Sequence, residues 1–122
     1  MMKISEIDID KLILNVSNPR FAELYNGSTK EEDLIEYLLY TESGEEIAKA
    51  ISITKQFYPD RPLWVLEDGK NFLIKDGNRR CAAVKALRSP KKYRLDLPKL
   101  DLYQLPVLVY TDKKELERRI RE

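Results

Sequence analysis

The chain opens on Ile4-Ser5-Glu6-Ile7-Asp8-Ile9-Asp10, an apolar/polar alternation that suits a half-buried strand, with Leu12-Ile13-Leu14 continuing or closing it. The pattern then breaks at Asn15-Val16-Ser17-Asn18-Pro19-Arg20-Phe21, turn chemistry in which Pro19 pushes Asn18 away from helix. After a second loop at Asn26-Gly27-Ser28-Thr29, residues 29–40 predict a helix with Ser28 or Thr29 as cap. Leu34, Tyr37 and Leu38 fall on one face, with Ile35 and Leu39 beside them. Residues 45–56 predict a second helix, entered through Ser43-Gly44, with Ile47, Ala50, Ile51 and Thr54 inward. Pro59-Asp60-Arg61-Pro62 ends it. Leu63-Trp64-Val65-Leu66 and residues 71–75 then form a hairpin around Glu67-Asp68-Gly69-Lys70. The alanine-rich run from Asn78 to Leu87 is a strong helix former that stops at Ser89-Pro90. Residues 91–104 read as a surface connection or small excursion. Residues 105–110 read as a third clear strand with Pro106 near its start, and Asp112 and Glu115 as a capping box opening a charged helix to Glu122. A helix reaching the last residue without a C-cap suggests a domain, 1–122, cut from a longer chain.

The chemistry concentrates at Asp76-Gly77-Asn78-Arg79-Arg80, where a strand turns tightly into a helix. Cations in a first helical turn face the positive end of the macrodipole and free backbone N–H groups, a cost of roughly 0.3–1 kcal/mol each when exposed. Two adjacent arginines there make sense when an anion, most simply a phosphate, lies against the turn. Gly77 would let it approach the backbone. On that reading Arg80→Ala abolishes the nucleotide-induced stabilisation and leaves the ligand-free protein as stable as before or slightly more so. The Asn15-to-Phe21 loop places an amide, a hydroxyl and a guanidinium together, a grip for phosphate or sugar oxygens or simply a connection with an exposed arginine.

Composition narrows the functional classes. The 122 residues are 43% hydrophobic and 35% charged, which describes one globular domain with one core. No apolar run approaches the roughly 20 residues of a membrane span and no leader pattern opens the chain, so a cytoplasmic location is expected. With one cysteine and no histidine, internal disulfides, Cys/His metal sites and histidine-based triads are excluded. Cys81 falls on the packed helix face with Val84. Glu45 and Glu46 read as solvated first-turn acids. The net charge of +1 is unevenly placed: seven cations and no acid from Gly77 to Leu95, seven acids and no cation from Glu31 to Ala48. This predicts one basic face and one acidic face. Tyr93 and Tyr103 beside the basic run are weak candidates for base stacking.

An initial strand, an Asn18-Pro19-Arg20 loop, helices, a hairpin and then Gly77-Asn78-Arg79-Arg80 closely resemble the N-terminal domain shared by ParB partition proteins and sulfiredoxin, from Ile4 to about Glu122. The resemblance implies an α/β (α+β) fold with a small mixed sheet and flanking helices in a single domain. It also implies a nucleoside triphosphate, CTP or ATP with Mg2+, whose phosphates meet Gly77, Asn78, Arg79 and Arg80 while Arg20 and Asn18 approach across the cleft. Asn78 stands where sulfiredoxin has its reactive cysteine, which argues against sulfinic-acid reductase activity; partition proteins typically carry an acid there. The Asp-Gly-Asn-Arg-Arg form looks more like stand-alone ParB-like proteins of prophages and mobile elements, some labelled nucleases. Two functions remain open. One is a nucleotide-binding module of a DNA-associated protein, with DNA contacted from outside 1–122 and a homodimer as a further expected partner. The other is a nuclease or nucleotide-dependent phosphotransferase of the same fold.

Overall fold

The structure is a computed structural model that describes residues 4–15, 19–112, 114, 115 and 118. Its frame is a five-stranded mixed sheet in the order β1-β5-β3-β4-β2. The strands are β1 (Ile4–Asp8), β2 (Leu12–Ile13), β3 (Leu63–Asp68), β4 (Asn71–Asp76) and β5 (Gln104–Tyr110). The first strand and the last meet as the antiparallel pair β1–β5, and β3 runs parallel to β5 and antiparallel to β4. Pro106 lies in a strand with neighbours on both sides, yet pairing with β3 begins only at Val107. Its missing N–H therefore costs the β3–β5 ladder nothing.

Among the described residues four α-helices complete the α/β architecture: α1 (Pro19–Leu24), α2 (Glu31–Tyr40), α3 (Gly44–Thr54) and α4 (Asn78–Leu87). The stretch expected to be a loop from Asn15 to Phe21 instead enters α1 at Pro19, because a fixed φ and a missing N–H suit the first helical position. Phe21 is buried there and packs on Tyr25 and Tyr37. α2 begins at Glu31, later than the Ser28 or Thr29 cap implied. Lys30 is the N-cap and makes no side-chain cap bond, while the Ser28 hydroxyl donates to the Asp33 carboxylate and accepts from the Lys30 N–H.

The inward face of α3 is also rotated from expectation. Gly44, Ala48 and Ile51 are buried with Ile47 half-buried, whereas Ala50 and Thr54 are exposed. The i, i+3, i+4, i+7 set starts from the glycine, which periodicity counted over large residues overlooks. α4 is the central helix, and Cys81, Ala82, Ala83, Val84, Ala86 and Leu87 are all fully buried. Alanine on several sides lets α2, α3 and the sheet close around it, which a single apolar stripe would not allow.

Residues 91–104 are more than a surface link. Tyr93 is buried, its carbonyl accepts the Tyr40 hydroxyl, and Leu95, Leu97, Leu100 and Leu102 pack on the core. The expected segregation into an acidic and a basic face is broken along α2. Glu31, Glu32 and Glu36 of α2 pair with Lys85, Lys92 and Arg94 at 3.0, 2.7 and 3.3 Å, because α2 lies against α4 and the segment that follows it. Three of the seven acids and three of the seven cations are thereby neutralised across the fold. The C-terminal helix expected up to Glu122 falls mostly outside the described residues; Asp112 accepts the Lys114 N–H at 2.9 Å, as a cap would.

Candidate functional site

The turn between β4 and α4 is set by Gly77, whose φ of 99° lies in the left-handed region. A Cβ there would collide with Leu63 and come within 3.0 Å of the Arg80 guanidinium. Glycine is thus required by backbone angle and by packing together. The first turn of α4 and the end of β4 form one wall of a cleft of about 460 Å3, and Ile47 of α3 with Tyr58 and Arg61 of the α3–β3 connection form the other. Its lining includes the cations Lys75, Arg79, Arg80 and Arg61 and the carboxylate of Asp76.

Lys75 reaches the cleft through an irregularity in the sheet. Trp64 pairs with Asp76 and the next residue, Val65, pairs with Ile74, so Lys75 is one extra residue on β4. A bulge of this kind re-aims a side chain at the end of a strand.

The residues of the Asp-Gly-Asn-Arg-Arg motif serve different ends. Asn78 is a staple: its Oδ1 accepts the Asn15 N–H at 2.8 Å, and its Nδ2 donates to the carbonyls of Asn15 and Ile74 at 3.0 and 3.4 Å. A carboxylate could not supply the two donated bonds, which gives the amide at this position a structural reason. Arg79 is exposed and donates to the Glu42 carbonyl at 3.4 Å. Arg80 is folded back under the turn, with 15% of its side chain exposed. It donates to the Arg61 carbonyl and lies 3.6 Å from the Asp76 carboxylate. Burial pulls the Arg80 pKa below its ordinary value, Asp76 opposes that, and the charges of Arg61 and Arg79 lower it further. An anion entering the cleft would relieve this crowding of positive charge.

Gly77, Asn78, Arg79 and Arg80 therefore share one cleft, and Arg20 does not line it. Arg20 is exposed in α1, and its charge acts on Tyr37, whose hydroxyl donates to Glu42 at 2.7 Å. Asn18 lies outside the described residues. Sequence reasoning missed Arg61, Lys75, Tyr58 and Ile47. The cation between two prolines was a usable signal for Arg61, but nothing in the sequence marks the bulge at Lys75. As an observation bearing on a nucleotide with Mg2+, the four cations suit a polyphosphate, while Asp76 is the one carboxylate of the lining. That fits Mg2+ only as an ion carried chiefly by the ligand's own phosphates. Among the described residues no three acids or thiols gather to hold a metal on their own.

Cys81, one turn into α4, is fully buried and its thiol pKa is pushed up to about 12 by burial. The ordinary value of a thiol is about 9. A raised folded-state value means its contribution to stability is complete below pH 9 and is lost as pH rises from 9 towards 12. Native protein should react with a thiol reagent at pH 8 only as fast as it opens. Cys81→Ala should flatten part of the alkaline decline in stability. Rapid labelling of the native state, or an unchanged alkaline decline in the variant, would contradict this placement.

No family model matches the sequence, and no curated protein matches it. The structure is similar to that of the C-terminally truncated chromosome-partitioning protein ParB from Caulobacter crescentus complexed with CTP-gamma-S. The TM-score is 0.50 and the identity 21%, over 96% of this chain and 49% of that one. The chain spans about half the length of that ParB structure. It is also similar to sulfiredoxin from Arabidopsis thaliana, with a TM-score of 0.43 and 16% identity over 98% of each chain. The likeness to ParB shows the fold: a small mixed sheet with flanking helices of the ParB/sulfiredoxin type. No helix among the described residues is long and apolar enough to cross a membrane.

Proposed function

We propose that this domain of ParB/sulfiredoxin fold binds a nucleoside triphosphate, CTP or ATP with Mg2+, its phosphates held in the cleft at the start of α4. In this reading it is the nucleotide-sensing part of a cytoplasmic, DNA-associated protein whose DNA contacts lie outside these residues. The observation that carries the reading is the charge of the cleft, where four cations face one carboxylate. A likeness to a CTP-gamma-S-bound ParB supports the class of ligand. The pairing of Lys85, Lys92 and Arg94 with α2 leaves the basic run poorly placed to grip a DNA backbone by itself.

The test is a thermal-shift screen with CTP, ATP, GTP, ADP and a short DNA duplex, each with and without Mg2+. A triphosphate at a hundred times its dissociation constant should add about 2.7 kcal/mol of stability. For a domain near this size that is a rise on the order of 10 °C. The DNA arm should give no comparable shift. No response to any triphosphate at millimolar concentration would rule the proposal out.

A further inference from the structure

We infer that Arg61 is an anion ligand of this cleft, placed by Tyr58 and Arg80, so that a bound polyphosphate ties residues 57–62 to the start of α4. The inference rests on the triphosphate reading and deepens it by assigning a ligand outside the Asp-Gly-Asn-Arg-Arg turn. Three observations carry it. The Arg61 guanidinium carbon lies 5.8 Å from the centre of the Tyr58 ring, a cation–π distance that holds the head group at the cleft without neutralising it. Among the described residues Arg61 has no ion-pair partner, although it lines a cleft with Lys75, Arg79 and Arg80. Its backbone is fixed from both sides: its N–H donates to the Tyr58 carbonyl at 3.4 Å, and its carbonyl accepts from Arg80.

Arg80 is thereby a positioning residue for Arg61. Its donors already serve the Arg61 carbonyl and its charge faces Asp76, which leaves Arg61, Lys75 and Arg79 as the more available cations. These three come from different elements: the α3–β3 connection, the bulge of β4 and the first turn of α4. A phosphate chain is a ligand that meets separated cations at once, and arginine recognises it through paired N–H donors.

The test is titration calorimetry of the wild type, Arg61→Gln, Tyr58→Leu and the double variant. The ligands are inorganic tripolyphosphate, CTP and ATP, and the ligand-free melting temperature of each variant is measured alongside. Arg61→Gln should weaken tripolyphosphate and the preferred nucleotide alike, by about tenfold to a hundredfold. Its melting temperature should stay within about 2 °C of the wild type, as for an exposed side chain. Tyr58→Leu should weaken binding by a smaller factor, and the double variant should bind no worse than Arg61→Gln, since the ring acts through the guanidinium. Wild-type affinity in Arg61→Gln, or a loss confined to nucleotides with tripolyphosphate unaffected, overturns the anion role. So does a loss of affinity matched by a large fall in melting temperature. A wild type that binds tripolyphosphate or a nucleotide while Arg61→Gln loses nothing leaves the triphosphate reading standing and removes this one; a wild type that binds neither removes both.

Discussion

Gly44→Ala is expected to destabilise the protein by about 3 kcal/mol, at the upper end of what overpacking a core costs. That corresponds to a fall in melting temperature on the order of 10 °C. Gly44 is buried at the first position of α3, with three residues between it and the end of α2. A Cβ there would lie 2.6 Å from the Leu38 carbonyl oxygen and 3.1 Å from both the Leu38 carbonyl carbon and the Leu39 Cα. These atoms are backbone, so no side-chain rotation relieves the contact. Either α3 moves away from α2 or α2 bends, and both helices pack on α4. Gly69→Ala is the control. Gly69 has a φ of +63° in the β3–β4 turn with nothing within 4 Å of a built Cβ, so alanine there incurs only the left-handed backbone strain, roughly 1–2 kcal/mol. Chemical denaturation of both variants separates the two causes. Equal losses would mean that the α2–α3 approach is looser than its distances imply.

Arg80→Ala is expected to lower the stability of the ligand-free protein by about 1–3 kcal/mol and to weaken triphosphate binding as well. Read from the sequence, this side chain was a first-turn cation whose removal leaves stability unchanged. Its 15% exposure and its bonds reverse that expectation. Truncation empties the space under Gly77 and removes the donor to the Arg61 carbonyl, which frees the wall of the cleft formed by residues 57–62. Asp76, with 55% of its side chain exposed, remains hydrated and adds little to the loss. Arg80→Met, which keeps most of the volume, should cost less than Arg80→Ala, because a buried cation replaced by an apolar chain also sheds a desolvation penalty. Melting curves with and without CTP and ATP measure both effects. A ligand-free Arg80→Ala protein as stable as the wild type would restore the first-turn cation of the sequence reading.

The sequence by itself determined the elements whose signals are local. The hairpin of β3 and β4, the turn at Asp76-Gly77, the start of α4 at Asn78, strand β5 and the burial of Cys81 all follow from β-branched runs, a Gly-containing turn and an alanine-rich helix. The Gly-Asn-Arg-Arg motif also marked the place of the cationic cleft, because a strand–turn–helix junction brings its own residues together.

Tertiary structure decided what depends on partners distant in sequence. Periodicity over large side chains misplaced the inner face of α3, since the tightest contact there is made by a glycine. Three members of the run of acids pair with three of the run of bases because α2 lies along α4 and the segment after it, a proximity that no local pattern encodes. The same holds inside the motif. Asn78 is committed to the backbone of Asn15, 63 residues away, and Arg80 to the carbonyl of Arg61, 19 residues away. A bulge opposite Trp64 and Val65 brings Lys75 to the cleft. A sequence lists which side chains can donate, accept or carry charge. Packing settles which of these capacities are already used within the fold and which are left facing a ligand, because a buried polar group must be paired wherever its partner lies in the chain.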